Sequence, residues 1–350
     1  MTQRAPVALH VVEAYGGGVK AAIENWADAS PEYRHVVLKA DRANHLFAKA
    51  GRGRGVGFID MPPKHRQRVL SVETEAARVK ADIIHAHSSL AGIYSRLART
   101  PDIPIAYSPH CFAFERTDIG STKRRSFWMA EAALARRTSI FITVSEHEAQ
   151  LALRLPGARC AEVLRVTSET EVRRRPAQSS RPNRIRLLSV GRLCAQKDPY
   201  FVAAALQELR HRGVPFEHTW VGDGDVDMRA ALESSGSRVA GWQSEDEVIR
   251  QMDAADAFLH SAAWEGSPVT TEEALRCGLP VIARSLPVLR QMNLVGLVES
   301  PSEMATAVER LAEGDLKLAA LTSQAVFERH VRQHPARLTD LYDQVRSSHK

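Results

Sequence analysis

The chain has 350 residues, of which 44% are hydrophobic and 25% charged, and its formal net charge is +6 at pH 7. This length exceeds what one hydrophobic core usually serves, so two domains are expected. No apolar run approaches the ~20 residues of a membrane span, which argues against an integral membrane protein. The positive charge fits an anionic ligand or a membrane surface as well as nucleic acid, and it does not choose among them.

The first half of the chain alternates short β-branched runs with helical patterns, which is typical of a parallel sheet flanked by helices. The first run is too short, and too soon followed by Glu13, to be a secretion signal, so a cytoplasmic protein is expected. The predicted strands are Val7 to Val12, His35 to Leu38, Val56 to Ile59, Asp82 to His85, Ile103 to Tyr107 and Ile140 to Val144.

Three consecutive glycines, Gly16, Gly17 and Gly18, follow the first predicted strand and lead into a helical pattern. Such a loop lets the backbone approach a ligand closely, and a plain tight turn explains it equally well. The spacing is not G-x-G-x-x-G, so the dinucleotide-binding fingerprint is missing and an NAD-dependent oxidoreductase is disfavoured.

Metal-binding patterns are weak in this sequence. His85 and His87 point the same way along a strand, but a pair without a third ligand is more often structural. The four cysteines form no C-x-x-C pair, which argues against a zinc site or a disulfide framework. An Asp-x-Asp pattern between Asp223 and Asp227 is explained by a turn after a strand. We therefore predict no metal requirement.

A polar, proline-marked stretch from Ser168 to Arg186 separates the two halves, and we predict a linker over residues 168–184 between domains 1–167 and 185–334. A last helical pattern runs from Pro335 to Arg346, with Leu338, Leu341, Tyr342 and Val345 at helical spacing. After the linker the predicted strands are Ile185 to Val190, His218 to Val221, Arg238 to Ala240, Ala257 to Leu259, Leu279 to Ala283 and Leu294 to Val298.

Two cations follow the first strand of the second half. In "LLSVGRLCAQKDP" the strand ends at Val190, and Arg192 and Lys197 fall in the loop behind it. A rigid guanidinium and a flexible ammonium at this spacing suit adjacent phosphates, while two solvated surface cations are the alternative. Ligands of open α/β sheets bind at the carboxyl ends of the strands, where this loop lies.

Two carboxylates, Glu265 and Glu273, flank a predicted helix start in "WEGSPVTTEEALRCGLPVIA". We expect Ser267 to cap the helix, Pro268 to take its first position and Gly278 to end it. The amino end of a helix favours an anion, and the two carboxylates favour a ligand that also offers hydroxyls.

Taken in order, the glycine loop, "GRLCAQKD", "VGDGD" and "GWQSEDEVIRQMDAADAFLHSAAWEGSPVTTEEALRCGLPVIA" resemble a retaining glycosyltransferase of family 4. The likeness is strong over Arg184 to Ala283, and in the first half it rests on the glycine loop, "DIIHAH", "YSPH" and "FITVS". It implies the GT-B fold, an α/β architecture of two facing Rossmann-like domains with parallel sheets. The last helix, within residues 335–350, would cross back to the first domain.

The resemblance also implies roles for single residues. Glu273 would hold the ribose hydroxyls of a UDP- or GDP-linked sugar, while Arg192 and Lys197 would neutralise its diphosphate. His110 would reach the sugar from the first domain, without a metal and without a protein nucleophile. Glu265 would bind sugar and phosphate together with the backbone of Gly266, Ser267, Pro268, Val269 and Thr270, and the base would lie beside Trp242, Gln243 and Ser244.

One departure from the family pattern lies in "LPVLRQMNLVGLVES", which is compact and has Gln291 where an acid is expected, so the transferred sugar stays open. The same two-domain frame also suits a nucleotide-sugar epimerase or hydrolase, or a non-catalytic two-lobed binding protein. The implied partners are a nucleotide-sugar donor and a glycan or lipid-linked acceptor, with no nucleic acid.

A basic and aromatic cluster precedes or lies on one helix in "ERTDIGSTKRRSFWMAEAALARR". It fits a peripheral contact with the inner face of a membrane, and it equally fits a solvated helix whose aromatic residues are buried. Its members are Arg116, Lys123, Arg124, Arg125, Phe127 and Trp128.

Overall fold

The computed structural model describes residues 4–40, 56–164, 184–292, 294, 296–314 and 337–349. The chain divides into two compact units, one made of Met1–Glu115, Ile119–Thr167 and Pro335–Lys350, the other of Arg116–Asp118 and Ser168–His334. The linker predicted over residues 168–184 lies outside the described residues except for Arg184. None of the described helices is long and apolar enough to cross a membrane.

The first unit contains a seven-stranded parallel sheet in the order β3-β2-β1-β4-β5-β6-β7. Its strands are β1 (Val7–Val12), β2 (Arg34–Lys39), β3 (Gly57–Asp60), β4 (Ile83–His87), β5 (Ile105–Ser108), β6 (Ile140–Thr143) and β7 (Ala161–Val163). Its helices are α1 (Gly17–Asp28), α2 (His65–Val79), α3 (Ser89–Leu97), α4 (Ser121–Leu134) and α5 (Glu146–Leu153).

The two central strands of this sheet, β1 and β4, are buried along their whole length. Helices cover both faces of a parallel sheet, so its central strands carry side chains that avoid water on either side. The register places His10 of β1 beside His85 of β4. A polar side chain in this position must find its hydrogen-bond partners inside the protein.

The helix within residues 337–349 packs on the first unit. It begins at Leu338 and ends at His349, and its buried face consists of the four residues whose spacing predicted it. The hydroxyl of Tyr342 lies 2.7 Å from Nδ1 of His85, and Tyr33 donates to Asp343 at 2.6 Å. We name this helix α12.

The second unit contains a six-stranded parallel sheet in the order β10-β9-β8-β11-β12-β13. Its strands are β8 (Ile185–Val190), β9 (Phe216–Val221), β10 (Ser237–Val239), β11 (Ala257–His260), β12 (Val281–Arg284) and β13 (Leu297–Val298). Its helices are α6 (Pro199–His211), α7 (Val226–Ser234), α8 (Glu245–Ala254), α9 (Val269–Arg276), α10 (Pro287–Gln291) and α11 (Pro301–Ala312).

The prediction of two Rossmann-like α/β sheets is confirmed, and its errors are local. Strand β7 was missed, because its three residues are all half-buried and show no alternation. The strand predicted from Leu279 begins at Val281, since Leu279 and Pro280 connect it to the turn at Cys277 and Gly278 that follows α9.

Candidate functional site

The loops that follow β8 and β11 meet at the carboxyl edge of the second sheet, because these two strands are neighbours. The Lys197 ammonium donates a hydrogen bond to Oε1 of Glu265. The Gln196 amide donates to Oε2 of the same carboxylate at 3.4 Å. The backbone N–H of Ala263 donates to the Gln196 carbonyl at 2.8 Å, which ties the two loops together.

Glu265 is ionised in this setting although it is buried. Burial alone would raise the pKa of its carboxyl, but the Lys197 ammonium and the nearby His260 outweigh that effect and lower the pKa. Nε2 of His260 lies 3.7 Å from Oε1 of Glu265. A cation and an anion therefore stand side by side at the sheet edge, the arrangement expected where a ligand carries both phosphate and hydroxyl groups.

Arg192 is exposed on the same loop as Lys197. Within the described part of the chain, its guanidinium makes no hydrogen bond or ion pair, so its donors are open to a ligand. The backbone of this loop is fixed by close packing against the loop after β9. A Cβ at Gly222, where φ is +130°, would come within 2.0 Å of the Gly191 carbonyl oxygen.

The helix that carries Glu273 begins one residue later than predicted. Pro268 is the residue before the first helical turn of α9, and no side chain caps the helix, so the prediction of Ser267 as the cap was wrong. The ψ angle of 72° at Pro268 displaces Ser267 from the capping position. Gly278 follows the end of α9 with φ at +68°, in agreement with its predicted role.

Glu273 is partly buried on α9 and is less acidic than an ordinary glutamate. Burial, together with the negative charges of Glu245 and Glu272, raises the pKa of its carboxyl to about 7. Trp242, half exposed, and Gln243, whose amide donates to the Ala240 carbonyl at 3.0 Å, lie in the loop after β10. These residues line the same edge of the second sheet.

The aspartates of the Asp-x-Asp pattern stabilise the local structure of this unit. Asp223 forms an ion pair with Arg229 at 2.8 Å. Asp225 caps α7 by accepting hydrogen bonds from the backbone N–H groups of Asp227 and Met228. These contacts agree with the prediction that a turn after a strand explains the pattern.

The glycine loop lies at the carboxyl edge of the first sheet, between β1 and α1. Gly16 precedes the first turn of α1, and Gly17 adopts φ of +54°, a left-handed conformation that favours glycine. Gly17 and Gly18 are exposed. The loop therefore presents bare backbone at the end of a central strand.

His110 lies in the loop that follows β5, and its backbone is unusual. His110 and Cys111 both have positive φ angles, +51° and +83°. The Glu148 carboxylate holds this segment by accepting the N–H of Cys111 at 2.6 Å and that of Val144 at 2.9 Å. The indole of Trp26 stacks on the His110 ring with centroids 5.8 Å apart. Such strain persists where surrounding contacts impose it, most often at functional sites.

Sequence reasoning missed a cluster of histidines beneath His110. His10 is the third neighbour that the pair His85 and His87 was expected to lack, and one nitrogen of each ring lies within 4.8 Å of the others. The nitrogens of these three rings already take part in hydrogen bonds to other side chains. Gln196, His260 and Glu148 were missed as well. Of the histidine cluster, only His85 and His87, which are spaced two residues apart on β4, gave a signal in the sequence.

Two Rossmann-like units, each with polar side chains at the carboxyl edge of its parallel sheet, are the architecture of the GT-B glycosyltransferases. A family model described as a glycosyl transferase 4-like domain matches residues 17–159, and one described as glycosyl transferases group 1 matches residues 184–314. Together these matches span both units, and the chain belongs to the glycosyltransferases of the family-4 type.

The chain is also similar to curated proteins and to solved structures, the latter showing the same fold. An uncharacterized 41.2 kDa protein in the cps region of Klebsiella pneumoniae is 24% identical over 86% of this chain and 88% of its own length. The UDP-Gal:alpha-D-GlcNAc-diphosphoundecaprenol alpha-1,3-galactosyltransferase of Escherichia coli is 26% identical over 64% of this chain and 62% of its own length. The structure of Anabaena HepE in complex with UDP and glucose superposes with a TM-score of 0.74 at 18% identity, covering 98% of this chain and all of HepE.

Proposed function

We propose that this glycosyltransferase moves a sugar from a UDP- or GDP-linked donor to a hydroxyl acceptor with retention of the anomeric configuration. The observation that carries the proposal is the contact between Lys197 and Glu265 at the edge of the second sheet, on the same loop as Arg192, whose guanidinium pairs with none of the described residues. This set offers cations to a diphosphate and a carboxylate to sugar hydroxyls.

The chemistry requires little more than these groups. The bond between the anomeric carbon and the phosphate oxygen breaks, and negative charge builds on the departing diphosphate. Arg192 and Lys197 donate hydrogen bonds to that charge, and the amino end of α9 adds its positive dipole. The acceptor oxygen bonds to the anomeric carbon on the same face from which the phosphate departs. The proton of the acceptor hydroxyl passes to a phosphate oxygen.

The carboxylates serve binding in this proposal. Ionised Glu265, oriented by Lys197 and Gln196, accepts hydrogen bonds from sugar hydroxyls next to the backbone of Gly266–Thr270. Glu273 accepts both ribose hydroxyls, and Trp242 with Gln243 flanks the base. His110 and the glycine loop contribute from the first unit. Since side chains supply the cations, the transfer needs no metal.

The acceptor class is proposed as a lipid-linked or envelope glycan, within polysaccharide or glycolipid assembly. The Escherichia coli relative acts, by its name, on a GlcNAc-diphosphoundecaprenol acceptor with UDP-Gal as donor. A polyprenyl-linked acceptor resides at a membrane, so we place this enzyme at the inner face of the cytoplasmic membrane.

Helix α4 provides a surface suited to such a membrane. Lys123, Arg124 and Arg125 are exposed on its first turns. Trp128 and Met129 follow with exposed fractions of 39% and 58%, and Phe127 is half-buried. The alternative in which Trp128 is buried is therefore wrong. Each cation near an anionic leaflet contributes about 1 kcal/mol, and the exposed apolar side chains add to that.

A thermal-shift screen of nucleotides and nucleotide-sugars tests the donor. A donor present at 100 times its dissociation constant stabilises the protein by about 2.7 kcal/mol. Proton NMR then determines the anomeric configuration of the product, and an inverted configuration would refute a retaining enzyme. Turnover of the donor at full rate without any acceptor would favour the hydrolase or epimerase, and binding without turnover the two-lobed binding protein.

Sedimentation with vesicles tests the membrane surface. At low salt the protein should pellet with phosphatidylglycerol vesicles and stay in the supernatant with phosphatidylcholine vesicles. A variant with alanine at Lys123, Arg124 and Arg125 should lose the pelleting. Equal recovery of both proteins in all supernatants would favour a soluble acceptor.

A further inference from the structure

Four buried or partly buried histidines of the first unit form a continuous hydrogen-bonded row, which we call the histidine chain. Nδ1 of His35 lies 2.9 Å from Nε2 of His10, Nδ1 of His10 lies 2.9 Å from Nε2 of His87, and Nδ1 of His87 lies 3.0 Å from Nε2 of His110. In every link an Nδ1 meets an Nε2. The row thus runs in one direction from His35 to His110.

The inner end of the histidine chain fixes where its protons lie. Nε2 of His35 is 3.0 Å from the carbonyl oxygen of Ser30, which can only accept. The Ser30 hydroxyl, 3.2 Å from the same nitrogen, donates its own proton to the Trp26 carbonyl at 2.5 Å. Both oxygens therefore face the His35 nitrogen as acceptors, and that nitrogen carries the hydrogen.

This requirement propagates along the row, because a neutral imidazole has one N–H and one lone pair. With its hydrogen on Nε2, His35 offers a lone pair at Nδ1, so His10 must donate from Nε2. The same argument makes His87 donate to His10 and His110 donate to His87. The opposite assignment would set a lone pair of His35 against the Ser30 carbonyl at the buried end.

We propose that the histidine chain holds His110 as its Nε2–H tautomer and so presents its Nδ1 lone pair to the substrate as a hydrogen-bond acceptor. Among the described residues, nothing forms a hydrogen bond with that nitrogen. His10, His35 and His87 are then positioning residues. The role toward the sugar rests on the proposed function, while the tautomer itself does not.

The surroundings keep the histidine chain neutral. Burial, reinforced by neighbouring histidines, lowers the pKa of His10 and His87 well below the ordinary value. Burial also lowers the pKa of His110 to about 3. Burial lowers the pKa of His35 as well, while the hydrogen bond to the Ser30 carbonyl and the charge of Asp28 act to raise it. A neutral His110 accepts a hydroxyl proton in a hydrogen bond without repelling an oxocarbenium-like sugar.

A metal ion on His10, His85 and His87 would compete with this arrangement. His85 is fixed independently: Nε2 donates to the Ser108 hydroxyl at 2.8 Å, whose own proton goes to the Ile142 carbonyl at 2.5 Å. Nδ1 of His85 then accepts from Tyr342 at 2.7 Å. Ligation would break these bonds and the row, so the geometry favours the hydrogen-bonded state.

Nitrogen NMR of protein labelled with ¹⁵N-histidine tests the proposal directly. Long-range proton–nitrogen spectra distinguish the two neutral tautomers, and single variants assign the signals. We compare wild type with His10→Gln and His10→Leu, with His65→Leu as the control because His65 is exposed and outside the row. A glutamine amide can donate to His35 and accept from His87, whereas leucine can do neither.

Wild type and His10→Gln should show His110 as the Nε2–H tautomer, and His10→Leu should show a mixture of tautomers. With a donor and acceptor found for the enzyme, His10→Leu should lower kcat about 10- to 100-fold, the size of loss seen when a partner that orients a metal-ligating histidine is removed. KM for the donor should stay within roughly twofold, and His10→Gln should recover most of kcat.

Several results would overturn the proposal: an Nδ1–H or mixed His110 in wild type, an unchanged His110 in folded His10→Leu, or stoichiometric zinc in purified wild type that is lost from His10→Gln. If His10→Leu kept full kcat while His110 showed mixed tautomers, the histidine chain would have no positioning role in the transfer. If wild type transfers no sugar at all, the proposed function fails, and the spectra still decide the tautomer.

Discussion

Replacing Lys197 by methionine removes the cation beside Glu265 and keeps the aliphatic stem. The Glu265 side chain is only 7% exposed and that of Lys197 22% exposed, so the carboxylate loses its partner in a poorly solvated place. Two unit charges 4 Å apart attract by about 4 kcal/mol at an effective dielectric constant of 20. Breaking a fully buried pair costs about 3–5 kcal/mol. Because water reaches Lys197, we expect a loss of about 2–3 kcal/mol at pH 8.

The loss should depend on pH in a defined sense. In wild type the pKa of Glu265 is depressed below 4.5, so its stabilising effect is present above that pH and disappears as the pH falls through the folded-state pKa. In Lys197→Met burial prevails and raises the pKa, so the carboxyl favours folding at low pH and opposes it as the pH rises. The difference between the two proteins should therefore shrink from pH 8 to pH 5.

Urea unfolding of wild type, Lys197→Met, Glu265→Gln and the double variant measures both effects. The coupling energy should exceed roughly 1 kcal/mol at pH 8 and decrease at pH 5. Lys64→Met, which changes an exposed lysine outside the site, serves as the control. A Lys197→Met loss below about 0.5 kcal/mol, or one equal at both pH values, would refute the reasoning.

Three further results are expected. Arg192→Ala should lower kcat about 100- to 1,000-fold with an unchanged melting temperature, and Arg250→Ala, an exposed control, should leave both unchanged; normal turnover in Arg192→Ala would remove it from the site. Because the pKa of Glu273 is about 7, calorimetry should show tighter UDP-sugar binding as the pH rises from 6 to 8, and Glu273→Gln should weaken binding about tenfold and abolish that pH dependence. Transfer should survive EDTA, and loss that magnesium or manganese restores would contradict a metal-free enzyme.

Local pattern and chain order were enough to predict the two parallel sheets and the place of the second unit's charged residues. Lys197 and Glu265 each follow a strand, and residues behind neighbouring parallel strands meet at one edge. Their direct contact depends on the loop bond between Ala263 and Gln196. The start of α9 was misplaced because the ψ angle of 72° at Pro268 has no local signature in the sequence.

The histidine chain shows what the sequence could not disclose. Its members come from three strands and one loop, and the linked pairs are separated by 25, 77 and 23 residues. Only the register between strands brings them together. Read singly, each histidine looks like an isolated polar residue, and the two-residue spacing of His85 and His87 pointed to only one member of the row, His87.

The bond between His85 and Tyr342 has a consequence for biosynthesis. These residues are 257 positions apart, and α12 belongs to the first unit. At about 5–20 residues per second, a ribosome needs roughly 13–50 s to translate that interval, while sheet formation is far faster. The nascent first unit must therefore wait, with the surface that α12 covers still exposed, until the second unit has emerged. Removal of α12 should accordingly expose the first unit to proteases and leave the second one resistant.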